Sequence, residues 1–146
     1  MAPYVAVIGP GDASPEQRAA AEEVGRELAK RGALLVSGGL GGAMEAACRG
    51  AREAGGTTVA LLPGFDRAAA NEFVDVALAT GLGEARNALV VRAADALIAV
   101  GGGYGTLSEI ALALKAGKRV VGLDSWEIEG VEPAGSAEQA VAAALA

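Results

Sequence analysis

Ala96-Leu97-Ile98-Ala99-Val100-Gly101-Gly102-Gly103-Tyr104-Gly105-Thr106-Leu107-Ser108-Glu109 decides how this chain folds. Five apolar residues make a buried strand, and the glycines after them a tight turn. Leu107, Ile110, Ala111 and Leu114 then recur at helical spacing, so a helix is expected over Thr106–Ala116. The same grammar occurs upstream. Ala33 to Ser37 reads as a strand, Gly38-Gly39-Leu40-Gly41-Gly42 as its turn, and Ala43 to Ala54 as the helix behind it.

Working outward, the alternation holds along the chain. Tyr4 to Ile8 is a strand candidate ending in Gly9-Pro10-Gly11. Ser14, Pro15 and Gln17 give N-cap, first helical residue and capping-box partner of a helix that runs to Arg31. Thr57 to Leu62 is a strand, followed by a polar loop over Phe65–Glu72 and a short strand over Phe73–Ala77. Gly83 to Ala94 reads as a helix, Arg119 to Leu123 as a strand, and Ser136 to Leu145 as a closing helix with Gln139 in capping-box register; Gly122 to Gly135 has no readable pattern. Short apolar strands alternating with helices predict an α/β fold: one doubly wound, mostly parallel sheet flanked by helices, Rossmann-like, with residues 1–146 forming a single domain. In such a sheet ligands bind beyond the carboxyl ends of the strands, near a topological switch point, and both glycine turns lie on that edge.

Bulk properties narrow the function. The chain is 52% hydrophobic but 3% aromatic, so its core is built from Ala, Val, Leu and Ile. No apolar run is long enough to span a bilayer, and no basic flank marks a signal peptide; with the lone Cys48, this points to the cytoplasm. A net charge of −6 argues against nucleic acid and anionic membrane as partners. The absence of histidine excludes Ser-His-Asp and Cys-His catalysis and the usual zinc sites, and neither a metal site nor a resident cofactor is expected.

Glycine turns at helix N-termini suit phosphate. Glycine lets the ligand approach the backbone, and the helix start offers free amides and about half a positive charge. Gly38, Gly39 and Gly41 in the first turn, and Gly102, Gly103, Gly105 and Thr106 in the second, are the candidate phosphate-binding residues, expected to converge on one anion pocket. The alternative is that each turn only needs positive φ. Neither is a P-loop, for no Gly-Lys-Ser/Thr follows and Lys30, Lys115 and Lys118 lie at helix ends. The expected ligand is a nucleoside monophosphate or similar phosphorylated small molecule rather than a dinucleotide.

Gly102-Gly103-Tyr104-Gly105-Thr106-Leu107-Ser108-Glu109 resembles the PGGxGTxxE signature of the Lonely Guy (LOG) family, with Gly101 in place of proline. Ser37-Gly38-Gly39 with Met44 is similar to that family's GGGxxGLM segment. The resemblance implies a Rossmann-like phosphoribohydrolase that releases a free base from a cytokinin nucleoside 5′-monophosphate. It also implies an active site made by the signature glutamate, Glu109, and an arginine on the preceding helix, Arg86, which lies 23 residues upstream. Arg86-Asn87, where the family has Arg-Lys, resembles a shorter branch that is also similar to molybdenum-cofactor carrier proteins. That branch implies a second function, a carrier or sensor that binds nucleotide or cofactor without turnover. The family's older label, lysine decarboxylase, does not fit lysines placed only at helix ends.

The pair also has a chemical rationale. Breaking an N-glycosidic bond develops positive charge on the ribose, which a carboxylate at Glu109 stabilises while orienting water. Arg86 is suited to hold the 5′-phosphate or to orient Glu109. The bland readings stand beside these: Thr106-x-x-Glu109 is itself a capping box, and Arg86 alone reads as a surface arginine. Asp66, Arg67, Asn71 and Glu72 read as a solvated loop, with contact to a base as the alternative because they follow the third strand. Leu82, Ala85, Leu89, Val90 and Val91 spread apolar surface wider than one stripe, so a homodimer or higher homo-oligomer packed through this helix is expected.

Overall fold

The computed structural model describes residues 1–146. Seven strands form one sheet: β1 (Tyr4–Ile8), β2 (Leu34–Ser37), β3 (Thr58–Leu62), β4 (Val76–Ala79), β5 (Ala96–Val100), β6 (Arg119–Leu123) and β7 (Val131–Ala134). Their order is β4-β3-β2-β1-β5-β6-β7, and every neighbouring pair is parallel, so "mostly parallel" becomes wholly parallel.

Strand side chains alternate between two cores. Val5, Val7, Ile98 and Val121 face α1 (Pro15–Lys30), α2 (Ala43–Glu53) and α5 (Ala137–Ala144). Ala6, Ile8, Leu97 and Val120 face α3 (Arg86–Ala93) and α4 (Tyr104–Lys115). Small residues replace aromatics by letting helices approach closely: a Cβ on Gly25 would collide with the Ala47 carbonyl, and one on Gly50 with the Glu22 carbonyl. The α1 capping box is complete, with Gln17 N donating to Ser14 Oγ at 3.1 Å and Ser14 N to Gln17 Oε1 at 2.9 Å. At α5 the box is half made. Ser136 caps Gln139 N, but Gln139 Oε1 accepts from Gly135 N instead.

Three expectations need correction. The strand expected at Phe73–Ala77 lies at Val76–Ala79, because Asp75 and Phe73 are engaged by Thr58 at the start of β3 and pairing begins only at Val76 opposite Val59. The helix expected over Gly83–Ala94 starts with a 3₁₀ turn, Gly83–Ala85, and is α-helical only from Arg86. A seventh strand occupies part of the unread Gly122–Gly135 stretch; Pro133 is tolerated because β7 is an edge strand.

Strand order places the switch point between β1 and β5. The turns leaving β1 and β5 therefore diverge, and the carboxyl edge between them is where such a sheet takes a ligand.

Candidate anion site at the carboxyl edge

The second glycine loop opens α4. Gly103 is its N-cap, with φ 137°, a conformation L side chains rarely adopt. Leu107 N donates to Gly103 O at 2.9 Å, so the helix begins at Tyr104, two residues earlier than expected. The five amides from Gly102 to Thr106 donate to no other backbone group or side chain. They present an N-terminal dipole with unoccupied donors. No atom lies within 4 Å of where a Cβ would stand on Gly105, so this face is open to approach. Thr106 itself is buried, and what it offers the edge is its amide.

The earlier helix start also changes the reading of Glu109. It lies in the second turn of α4, and the Thr106–Glu109 capping box is not formed because Gly103, not Thr106, is the cap. Glu109 is 8% exposed, and burial raises its carboxyl to about 7, against the opposing pull of the Arg86 charge.

The first loop is built differently. Gly39 N donates to Ser37 Oγ at 3.1 Å, and Asn71 braces the turn from outside through Nδ2 to Leu40 O at 2.9 Å and its own amide to Gly39 O at 2.9 Å. The loop expected to be solvated thus contributes a brace, and nothing along the chain marks Asn71 for it, because it acts on backbone carbonyls more than thirty residues away. Gly41 is open, and the Gly38, Leu40, Gly41 and Gly42 amides have no partner within the protein. Gly38 is not open. The Arg86 guanidinium lies where its Cβ would stand, with Met44 Sδ on the same spot.

Arg86, at the start of α3, is thus folded onto the first loop and is 8% exposed. Its Nε has no hydrogen-bond partner. Burial lowers its pKa and Glu109 opposes that shift, so the two side chains sense each other without forming a direct ion pair. The structure therefore joins Arg86 to Gly38 and leaves Glu109 at electrostatic range.

The two glycine loops are linked through the β1 turn. Ala43 N donates to Pro10 O at 3.0 Å, a Cβ on Gly9 would press on Val100 O and Ala43 Cβ, and Pro10 Cβ lies 3.9 Å from the corresponding position on Gly103. The Arg86 guanidinium lies over Gly38 at the first loop, and open space adjoins the second. A groove of about 490 Å³ runs between α3 and α4 past Ala85, Asn87, Gly105 and Ser108.

A model of the SLOG cluster4 family matches residues 2–145. The chain belongs to the SLOG cluster4 family. This SLOG cluster4 chain is 48% identical over 138 residues to an uncharacterized protein of Archaeoglobus fulgidus, covering 94% of this chain and 91% of that one. A probable cytokinin riboside 5′-monophosphate phosphoribohydrolase of Oryza sativa subsp. japonica is 37% identical over 94 residues, 62% of this chain and 38% of the rice protein. Among solved structures, the molybdenum cofactor binding protein of Rippkaea orientalis superposes with a TM-score of 0.93 at 36% identity, covering 98% of this chain and 95% of that one. The Moco carrier protein of Chlamydomonas reinhardtii gives 0.90 at 39% identity, covering 98% and 95%. Both resemblances expected from the Gly102–Glu109 and Arg86-Asn87 motifs are therefore found in this family member, and the likeness to the molybdenum-cofactor proteins extends over almost the whole chain.

Lysine carries no part of the site. Lys118 Nζ donates to Val91 O at 2.8 Å and Arg92 O at 2.9 Å, and to Ala94 O, closing the carboxyl end of α3. Cys48 is buried beside Ser37 Oγ at 3.6 Å, and burial pushes its thiol up, away from the reactive thiolate.

Proposed function

We propose that this chain binds a phosphorylated small molecule at the second glycine loop and carries it without turnover, with molybdenum cofactor as the cargo. One observation carries the reading: five consecutive free amides, Gly102 to Thr106, at the start of a helix on the switch-point edge, with the buried, under-bonded Arg86 charge on the neighbouring helix. Such a set neutralises a phosphate without any lysine. Gly102, Gly103 and Gly105 let the phosphate reach the backbone, the Thr106 amide completes the cradle, and Gly38, Gly39 and Gly41 hold the first loop under Arg86. The nearly full-length likeness to molybdenum-cofactor carriers favours binding over hydrolysis.

A second reading rests on Glu109. A buried carboxyl raised to about 7 exchanges a proton near neutral pH, as N-glycosidic hydrolysis requires. In that reaction the bond from ribose C1′ to the base nitrogen breaks and a water oxygen adds to C1′. Glu109 takes the water proton and passes it to the departing base nitrogen, which restores the carboxylate, and Arg86 holds the 5′-phosphate.

The two readings separate in one experiment. The purified protein is incubated with AMP and with a cytokinin nucleoside monophosphate, binding is followed by calorimetry, and free base is assayed by chromatography. Binding with no base released, together with a pterin recovered from protein purified out of cells that make molybdenum cofactor, supports the carrier. Base release that disappears in Glu109→Gln establishes the hydrolase.

The apolar width of α3 is partly used inside the chain, since Val90 and Val91 belong to its own core. Leu112 on the α3–α4 groove stays exposed, as do Leu82 and Leu89, and a second copy of this chain is the partner that covers them. Size-exclusion with light scattering tests this; a monomer at micromolar concentration overturns it.

A further inference from the structure

The connection from β6 to β7 gathers features that the glycine loops do not explain. Asp124 to Gly130 joins two parallel neighbours without the helix that such a crossover ordinarily uses. An open cleft of about 690 Å³ lies along it. Gly122 keeps the cleft clear, because a Cβ there would stand 3.0 Å from Val131 Cγ1 and 3.5 Å from Ser125 Cβ. Asp124 enters the loop in the left-handed region, φ 51°, and is the one non-glycine residue of the chain to do so. Ser125 Oγ is shut off from solvent with no hydrogen-bond partner, a state that costs about 1–3 kcal/mol unless something bonds to it.

The cleft adjoins the anion site. Trp126 lines it, and its Nε1 donates to Gly103 O at 3.1 Å. Its ring lies 3.5 Å from where a Cβ would stand on Gly102, and the exposed Tyr104 ring is stacked beside it at 6.3 Å with 27° between planes. One aromatic wall therefore serves both the second glycine loop and the cleft.

The polar lining limits what can occupy it. Every charged side chain on the cleft is a carboxylate: Asp124, Glu127 and Glu129. A carboxylate only accepts, and it is best matched by two parallel N–H donors. A heterocycle with a ring N–H next to an exocyclic amino group presents that pair; guanine and the pterins share it. Adenine sets its amino group beside a bare ring nitrogen, whose lone pair would face the carboxylate.

We propose that this cleft is a subsite for a planar heterocycle bearing a 2-amino-4-oxopyrimidine edge, of the guanine or pterin type. The ring lies along Trp126, and its N–H and amino groups donate to the Asp124–Glu129 carboxylates. The subsite rests on the anion site proposed above, with the ligand's phosphate on the Gly102–Thr106 amides.

Trp126 is the chain's one tryptophan, so its fluorescence reports on this wall directly. The protein is titrated with GMP, AMP, guanosine and a simple pterin, and each titration is repeated against inorganic phosphate. GMP is expected to change the emission saturably and to bind about tenfold or more tightly than AMP, as expected for a charged hydrogen-bonded pair. Asp124→Asn, which tolerates the left-handed backbone, and Glu127→Gln are expected to reduce that preference while leaving phosphate competition unchanged. Equal affinities for GMP and AMP, both displaced by phosphate, overturn the subsite but keep the anion site. Saturable guanosine and pterin binding, together with GMP binding that phosphate does not weaken, supports the subsite and overturns the anion site. No emission change with any heterocycle overturns the subsite.

Discussion

The two glycine loops are nearly matched in composition and differ in what their glycines do. In Ser37–Gly42 a side chain is excluded by crowding at Gly38, Gly39 and Gly42, and only Gly41 is open. A Cβ on Gly39 would stand 2.5 Å from Ala60 Cβ, one on Gly42 would collide with the Pro10 and Gly11 carbonyls, and Gly38 makes room for the Arg86 guanidinium. In the second loop only Gly101 is crowded, since a Cβ there would stand 2.7 Å from the Gln17 side chain; from Gly102 to Gly105 the crowding is absent. Gly105 has open space, Gly102 only touches the Trp126 ring, and Gly103 is required by its φ of 137°. A glycine-rich turn in a sequence therefore does not say whether it faces a ligand or its own neighbours. Here the first loop is a fitted socket for an arginine, and the second is open to approach.

Substitutions at the glycines test this contrast most sharply. Gly42→Ala forces a side chain against two backbone carbonyls at φ 67° and is expected to lower stability by roughly 3 kcal/mol or more in urea unfolding. A loss below about 1 kcal/mol would mean that the first loop is as tolerant as the second.

The next effect lies at Glu109, on the helix of the second loop. Its folded-state pKa of about 7 exceeds the ordinary 4.5, so between these pH values the unfolded chain ionises while the folded chain keeps its proton. Stability therefore falls as pH rises from about 4.5 to 7 and levels off above. Glu109→Gln is expected to remove that slope and to be more stable than the parent by up to about 3 kcal/mol above pH 7, with no difference near pH 4. Parallel unfolding curves across pH 4 to 8 would sink the assignment.

Arg86→Leu probes the contact between the first loop and the anion site. It removes a buried charge with no direct ion pair, so stability should change by no more than about 1 kcal/mol. Phosphate or AMP affinity should fall by about tenfold or more, and the Glu109 carboxyl should titrate higher than in the parent, as followed by NMR. Unaltered affinity would leave Arg86 as packing alone.

The smallest effect is at Gly105, inside the first turn of α4. Gly105→Ala should add about 0.5–1 kcal/mol of stability through helix propensity, because no atom opposes the new methyl. It should also weaken phosphate binding, because the methyl occupies the approach. Greater stability with undiminished binding would place the ligand elsewhere on the edge.

The sequence by itself determined the alternation of strand and helix, the parallel sheet and the glycine turns at its carboxyl edge. These are local or periodic signals, carried by runs such as Ala96–Val100 and by capping residues such as Ser14. Arg86 and Glu109 stood out only through the family resemblance of the motifs that hold them. Tertiary structure alone decided the rest. β7 was unreadable because its strand depends on pairing with β6 and carries a proline. The shift of β4 follows from bonds that Thr58 makes across the sheet. That Gly38 is filled by Arg86, that Asn71 braces a distant turn, and that Trp126 stands against Gly103 all join residues more than twenty positions apart. Burial in three dimensions sets the Glu109 proton affinity, and no pattern along the chain encodes how much water a folded carboxyl has lost.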